Sequence, residues 1–294
     1  MKKIIFLALL GTTLLSCSKN EEQPKDDTLY EVNFNVSAFN QEVIPLKSTQ
    51  TLNGVVNYLD YIVYSEDGGL LYRKEYKNTD ENFGVVKDQF PKGKYHIIFF
   101  GLQDNLFGEN FTEGTNLFQE ASYYSDEPLE DSFFRKITLT VPDENSNLAI
   151  SLERVVGKLE VIFTDNMPQE VVKIEPLLTG AYWGLEFATE GLFHQATIDY
   201  KTYTITDAEK GKPNFKMEFY SYASTGGINC GLTIKCLDVN NEVVATKSIP
   251  NIKIYRNKIT RLSGSMFDGN NAPAEGNFKI EVDPDWAEVV EQGF

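Results

Sequence analysis

Short apolar–polar alternations, broken by turn residues every 8–12 positions, run through almost all of this 294-residue chain and leave room for little except β-sheet. Val32, Phe34 and Val36 alternate with Glu31, Asn33 and Asn35, the period-two pattern of a strand with one buried face. Residues 55–65 (VVNYLDYIVYS) and 70–76 (LLYRKEY) flank Glu66-Asp67-Gly68-Gly69, whose glycines supply the positive φ of a tight hairpin. Residues 83–90 and 95–101 flank Pro91-Lys92-Gly93-Lys94, where proline presets one turn residue and glycine relieves the next. Further strands read at 135–141, 147–152, 154–163, 171–178, 182–187, 196–206, 215–221, 228–239, 243–249, 253–262 and 278–282, with a turn expected at Pro250. Residues 104–131 keep no steady period and read as a long loop with room for one helical turn. Almost no segment carries i, i+3, i+4, i+7 apolar spacing over a helix length. The fold class is therefore all-β, as sandwiches or barrels.

The length suits two domains of ordinary size, and 41% hydrophobic with 13% aromatic residues can fill two cores. The boundary is expected just before Arg154, giving an N-terminal β-sandwich over 29–152 and a C-terminal one over 153–294. Each half carries a similar set of strands, without a short tandem repeat.

The first residues are of another kind. Lys2 and Lys3 precede an uncharged apolar run, residues 4–15 (IIFLALLGTTLL), which has the layout of a secretory signal peptide. It is too short to span a bilayer, which takes about 20 residues as a helix. Leu14-Leu15-Ser16-Cys17 resembles the lipobox of bacterial lipoproteins, which implies cleavage between Ser16 and Cys17 and acylation of the Cys17 thiol by palmitate or similar chains. On that reading residues 1–16 are the signal peptide and 17–28 a lipidated tether. Stable anchoring takes more than one acyl chain, at about 0.8 kcal/mol per buried CH₂, and a multiply acylated Cys17 supplies that. An ordinary secretory signal with a chance cysteine is the plainer alternative. Residues 18–28 (SKNEEQPKDDT) read as a flexible linker. Their Glu21-Glu22 and Asp26-Asp27 are similar in character to the acidic export signal of surface lipoproteins of the Bacteroidota.

Removing residues 1–16 takes away two lysines and no acid, so the net charge moves from −16 to −18. Such a surface repels phosphate backbones, which excludes nucleic acid as a broad partner. Cys230 and Cys236 sit six residues apart on one strand, about 20 Å at 3.3 Å per residue, too far for a disulfide and on one face. His96 and His194 are the two histidines, neither with a partner at ligand spacing, so no metal or cofactor is expected. No Gly-x-Ser-x-Gly elbow and no phosphate loop occurs. The 43 acids are too many for a catalytic pair to stand out. Tyr182-Trp183 and Tyr123-Tyr124 could stack on sugar rings, although core packing is the commoner role of such residues. No catalytic residue is expected, and the chain reads as a non-enzyme.

Two longer stretches carry a family resemblance. Ile150 to Val161 (ISLERVVGKLEV) resembles the mid-chain L-x-R-x-v-a-K-l-x-v stretch of the fimbrillin superfamily of Bacteroidota. Ile254 to Gly264 (IYRNKITRLSG) is similar to its late v-x-R-N-x-x-T-x-l-x-G stretch. The resemblance implies two tandem transthyretin-like β-sandwich domains behind a lipoprotein signal peptide, and type V pili assembled by exchange of β-strands between subunits. It implies structural roles for Arg154 and Lys158 at a domain junction, and for Asn257 and Gly264 at turn or strand ends. The implied location is the outer membrane, lipid-anchored and surface-exposed, or the fimbrium, as shaft, tip or anchor.

One departure matters. Shaft subunits of that superfamily lose their first strand to an arginine-directed protease, yet no arginine lies between Cys17 and Arg73. Lys47-Ser48 is the candidate site for a protease of broader basic specificity; without cleavage the lipid stays attached. A candidate donor strand for a neighbouring subunit lies at residues 278–294, with Val282, Trp286, Val289 and Val290 as inserting side chains. The expected function is thus a lipid-anchored fimbrial subunit or fimbrillin-like adhesin. Its expected partners are other fimbrial subunits, the outer membrane, and host or bacterial surface ligands. The alternative is a surface glycan-binding lipoprotein of a polysaccharide-uptake system.

Overall fold

Unbroken apolar runs mark the strands at the centre of the molecule. The computed structural model describes residues 28–37, 52–103, 117–119, 121–124, 128–142, 147–199, 201–267 and 278–283. In chain order its strands are β1 (Leu29–Ser37), β2 (Tyr58–Ser65), β3 (Leu70–Lys77), β4 (Val85–Pro91), β5 (Gly93–Leu102) and β6 (Ser122–Tyr124). Then come β7 (Ser132–Val141), β8 (Asn147–Ser151), β9 (Glu153–Arg154), β10 (Val156–Phe163), β11 (Lys173–Glu186) and β12 (Leu192–Asp199). The last are β13 (Tyr203–Thr204), β14 (Phe215–Tyr222), β15 (Ile228–Leu237), β16 (Val243–Ile254), β17 (Ile259–Gly264) and β18 (Phe278–Asp283). Among the described residues the only helical element is a single 3-10 turn, Leu52–Gly54. The fold is all-β.

A three-stranded sheet, β4-β1-β8, faces a five-stranded sheet, β3-β2-β5-β7-β9. Between them lie Val32, Phe34 and Val36 of β1, Leu59, Tyr61 and Val63 of β2, and Ile97 and Phe99 of β5, all buried. The alternate residues of the five-stranded sheet's central strands, β2 and β5, are buried too. Ile62, Tyr64, Ile98, Phe100 and Phe134 join a second core that runs on into the C-terminal half. A strand covered on both faces needs apolar residues at successive positions, which is what YLDYIVYS and YHIIFFGL supply. Fully burying one such side chain contributes about 1.5–3 kcal/mol.

The C-terminal half is one sheet, β16-β15-β11-β14-β10-β17-β18, folded so that its two ends face each other. Leu159, Val161 and Phe163 of β10 and Leu262 of β17 share a core with Ile174 and Leu178 of β11 and Ile234 and Cys236 of β15. The corner strand is β11. Its first residues pair with β15, its later ones with β12, and Tyr182 pairs with Tyr222 of β14.

Three elements differ from the sequence expectation. Residues 171–178 and 182–187 are not two strands but parts of β11, because Gly180 (φ 79°) absorbs a β-bulge instead of a turn. A Cβ at Gly180 would lie 2.6 Å from the Asn229 carbonyl oxygen. Pro250 does not end a strand; it lies within β16, which among the described residues pairs only with β15, and it falls in the register shift between the Leu232–Ile249 and Cys230–Ile252 pairs, so the missing N–H costs no ladder bond. The turn comes later, at Asn257 with φ 56°. The expected loop before residue 131 contains β6, which pairs with β11 at Tyr123–Leu185 and so builds a piece of the N-terminal half into the C-terminal sheet.

Candidate functional site

The resemblance motifs, about a hundred residues apart in sequence, meet at one junction. Arg154, in β9, sends Nε to Asp131 Oδ1 at 2.7 Å and Nη2 to Asp131 Oδ2 at 3.0 Å. Its Nη1 donates to Asn257 Oδ1 at 2.9 Å, and its guanidinium lies over the Phe133 ring at 4.9 Å. Asn257 can do this because it holds the left-handed conformation, one of the few residue types that tolerate it, while its own N–H donates to Val156 O at 2.9 Å. Gly157 is required by close approach: a Cβ there would run into the Tyr255 carbonyl oxygen. Thr260 closes the second motif by donating to Lys253 O at 2.6 Å.

Around this knot the two halves are strapped together. Lys136 Nζ donates to Ala188 O at 2.5 Å and pairs with Glu190 at 3.6 Å, and Arg256 reaches Glu190 at 2.9 Å and Glu153 at 3.6 Å. Phe187 N donates to Ala121 O at 2.9 Å. Burial raises the Asp131 carboxyl above its ordinary value, and Arg154 beside it opposes that rise. On the outer face of β10, burial also pushes Glu160 up, but hydrogen bonds from Lys216 and Arg261 outweigh it and hold that carboxyl low.

The second feature is the seat of β1. This strand is the middle of its sheet. It pairs antiparallel with β4 from Leu29–Pro91 to Asn35–Val85, and parallel with β8 from Asn33–Asn147 to Ser37–Ser151. Phe34 is fully buried, its ring 5.4 Å from Phe99 and 5.8 Å from Tyr61. Removing β1 would leave a groove between β4 and β8 with unpaired backbone groups on both walls.

Of the residues singled out from the sequence, Ser16, Cys17, Lys47, Ser48, Trp286, Val289 and Val290 lie outside the described residues. Val282 falls in β18, which pairs within its own chain on β17, Thr260 opposite Val282. The arrangement brings Arg154 and Asn257 into contact, while Lys158 pairs with Glu218 at 3.4 Å and its charge also acts on Asp131. Asp131 was not singled out; its signal in sequence was only one acid among many. Cys230 and Cys236 are free thiols in the core. Trp183 and Tyr123 are buried, so these rings pack the interior instead of forming a sugar-stacking platform. His96 stacks on Phe118 at 4.5 Å, and among the described residues no group of His, Cys, Asp and Glu is arranged to hold a metal ion.

Residues 25–292 match the family model of the fimbrillin-A associated anchor proteins Mfa1 and Mfa2. A comparison with curated proteins finds no match. Among solved structures the chain is similar to a candidate adhesin from Bacteroides thetaiotaomicron, with TM-score 0.55 and 15% identity over 86% of this chain and 96% of that one. It is also similar to a candidate polysaccharide-binding protein of the same species (TM-score 0.55, 9% identity, 86% and 95% covered). A candidate adhesin from Bacteroides ovatus gives TM-score 0.54 at 12% identity, with 86% and 92% covered. At these identities the likeness to the solved structures is one of fold. With the family match spanning nearly the whole chain, this protein belongs to the fimbrillin-A associated anchor proteins Mfa1 and Mfa2, a family of fimbrial proteins of the cell surface.

Proposed function

We propose that this chain is the lipid-tethered base of a fimbrium, held in the outer membrane through acylated Cys17 and joined to its neighbour by strand exchange in one direction only. The observation that carries this reading is the central position of β1. A subunit that accepts a neighbour's strand must first vacate that position, and residues 18–72 contain no arginine for the protease that the fimbrillin resemblance implies. Keeping β1 does two things at once. It closes the N-terminal sandwich to an incoming strand, and it leaves the lipid on the same polypeptide as the folded body.

The other end can still give. Among the described residues β18 is an edge strand, paired with β17 alone. Its release would offer residues 278–294, with Val282, Trp286, Val289 and Val290, to the groove of an adjoining subunit. The role is structural, without catalysis; surface exposure and binding of host or bacterial surface ligands fit the same picture. Cleavage between Lys47 and Ser48 is the competing possibility, and it would remove β1 and lipid together.

The test is metabolic labelling with a fatty acid, followed by mass spectrometry of the N-terminal peptide from the outer-membrane fraction. The expected product starts at acylated Cys17 and still contains residues 18–47, and Cys17→Ala loses the label. A mature N-terminus at Ser48, or label surviving in Cys17→Ala, would overturn the reading.

A further inference from the structure

The two ends of β1 face different parts of the molecule. Leu29, where the strand leaves the N-terminal segment, pairs with Pro91, at the end of the sandwich that also holds the β4–β5 turn and the Gly93–Val141 pair. Ser37, its other end, pairs with Ser151; Leu152 N donates to Ser37 O at 2.8 Å, and the chain passes at once into β9 and the Arg154–Asp131 junction. The N-terminal segment therefore enters at one end of the sandwich, and the covalent path and the strapped junction to the C-terminal half leave from the other. Between them, β1 and β8 run parallel.

We propose that β1 is a mechanical clamp, built so that tension between the N-terminal tether and the C-terminal half shears its two ladders rather than peeling them. In a parallel pair, pulling one strand from its N-terminus and the other from its C-terminus slides them along each other. The hydrogen bonds then share the load and must fail together, whereas pulling both from the same end opens them one at a time. β1 has a ladder on each side, and the inward side chains Val32, Phe34 and Val36 key it into the core against sliding. The junction resists hinging as well, because β6 is sewn into the sheet of the C-terminal half and the central strands β2 and β5 are covered on both faces. The inference deepens the proposed function and rests on its N-terminal tether. It assigns to this chain the chemistry of a mechanical anchor, whose partner load is carried along β1.

The experiment is single-molecule pulling on the full mature chain, residues 17–294, without lipid. The Cys17 thiol serves as the N-terminal handle and a tag after Phe294 as the other. Cys230 and Cys236 are buried and stay out of the coupling. The comparison chain carries Cys17→Ser and Ser37→Cys, which moves the handle to the opposite end of β1 while every ladder bond remains. Ser37 is exposed, and Asn35→Cys at another exposed position serves as the second variant; an unchanged urea midpoint shows that the fold is the same. Forced unfolding reports the unfolding barrier, not the equilibrium stability, so the two geometries can differ at equal stability. The expected result is a peak force severalfold higher from Cys17 than from position 37 or 35. Equal forces at equal urea midpoints overturn the clamp, even if Cys17 proves lipidated in cells. A failure of lipidation with the force ratio intact instead removes the tether and leaves the clamp as a property of the fold.

Discussion

The Arg154 guanidinium and the Asp131 carboxylate meet edge to edge, with two parallel hydrogen bonds of 2.7 and 3.0 Å, and both side chains are buried. The pair closes the boundary between the halves, and the third guanidinium bond carries the contact on to Asn257. Removing one partner of such a pair strands the other charge out of water. Arg154→Met is expected to cost about 3–5 kcal/mol. Asp131→Leu combined with Arg154→Met should recover much of that loss, since no lone charge is then left. Urea denaturation of the single and double variants checks this, and additive losses would contradict it.

Asp60 gives a pH signature. Its side chain is wholly buried on β2, paired through Oδ1 with Arg73 Nε at 2.6 Å, and burial raises its pKa to about 6. A carboxyl raised in the folded state holds more protons there than in the unfolded chain. Stability from this group is therefore greatest below the unfolded pKa, about 3.9, and falls as pH rises through about 6. The difference over that window is on the order of 3 kcal/mol. Relative to Asp60→Asn, the wild type should lose stability between about pH 4 and pH 6.5. Parallel curves for the two proteins would show that Asp60 does not titrate in this way.

Gly157 tests the packing of the first motif. Its backbone lies so close to Tyr255 O and to Ile254 Cγ2 that no Cβ fits without moving β16 from β10. Gly157→Ala is expected to destabilise by about 1–3 kcal/mol, as overpacking does. The urea midpoint reads it, and a neutral substitution would mean that the turn at Asn257 gives way freely.

Phe34→Ala measures how firmly β1 is seated. The ring is fully buried against Phe99 and Tyr61, so its loss is expected to cost about 3–5 kcal/mol. Limited proteolysis should then cut within the N-terminal segment before the C-terminal half. Simultaneous digestion of both halves would point to one cooperative unit instead.

The core thiols should be silent. Burial pushes Cys230 and Cys236 up to about 12, so neither offers thiolate at neutral pH. In the unlipidated mature chain a thiol reagent is expected to titrate Cys17 alone until denaturant is added. Two or more fast-reacting thiols in the native protein would show that β15 opens.

Much of this fold is local in origin and was readable. Alternation fixed strands such as β1, and the β2–β3 hairpin turns where expected, though of its two glycines only Gly68 takes a positive φ, because period and turn chemistry are properties of neighbouring residues. The break expected between residues 178 and 182, around Gly180, and the strand end expected at Pro250 differ from the structure for the same reason. A glycine can make a bulge as well as a turn, and a proline can sit on an open strand edge, so the choice depends on which strand lies alongside. β6 was invisible, since a three-residue strand has no period of its own and exists because β11 offers it an edge.

The sequence by itself determined that the chain is all-β. Through the family resemblance it also marked Arg154, Lys158, Asn257 and Gly264 within two short stretches. Only the tertiary structure decided that these stretches form one junction, that Asp131 is the acid Arg154 chooses, and that β1 is a central strand while β18, among the described residues, is an edge. The physical reason is range. Hydrophobic period and backbone preference act over a few residues, whereas a hydrogen bond between positions 103 apart, or the place of a strand in its sheet, is set by how distant segments bury their faces together.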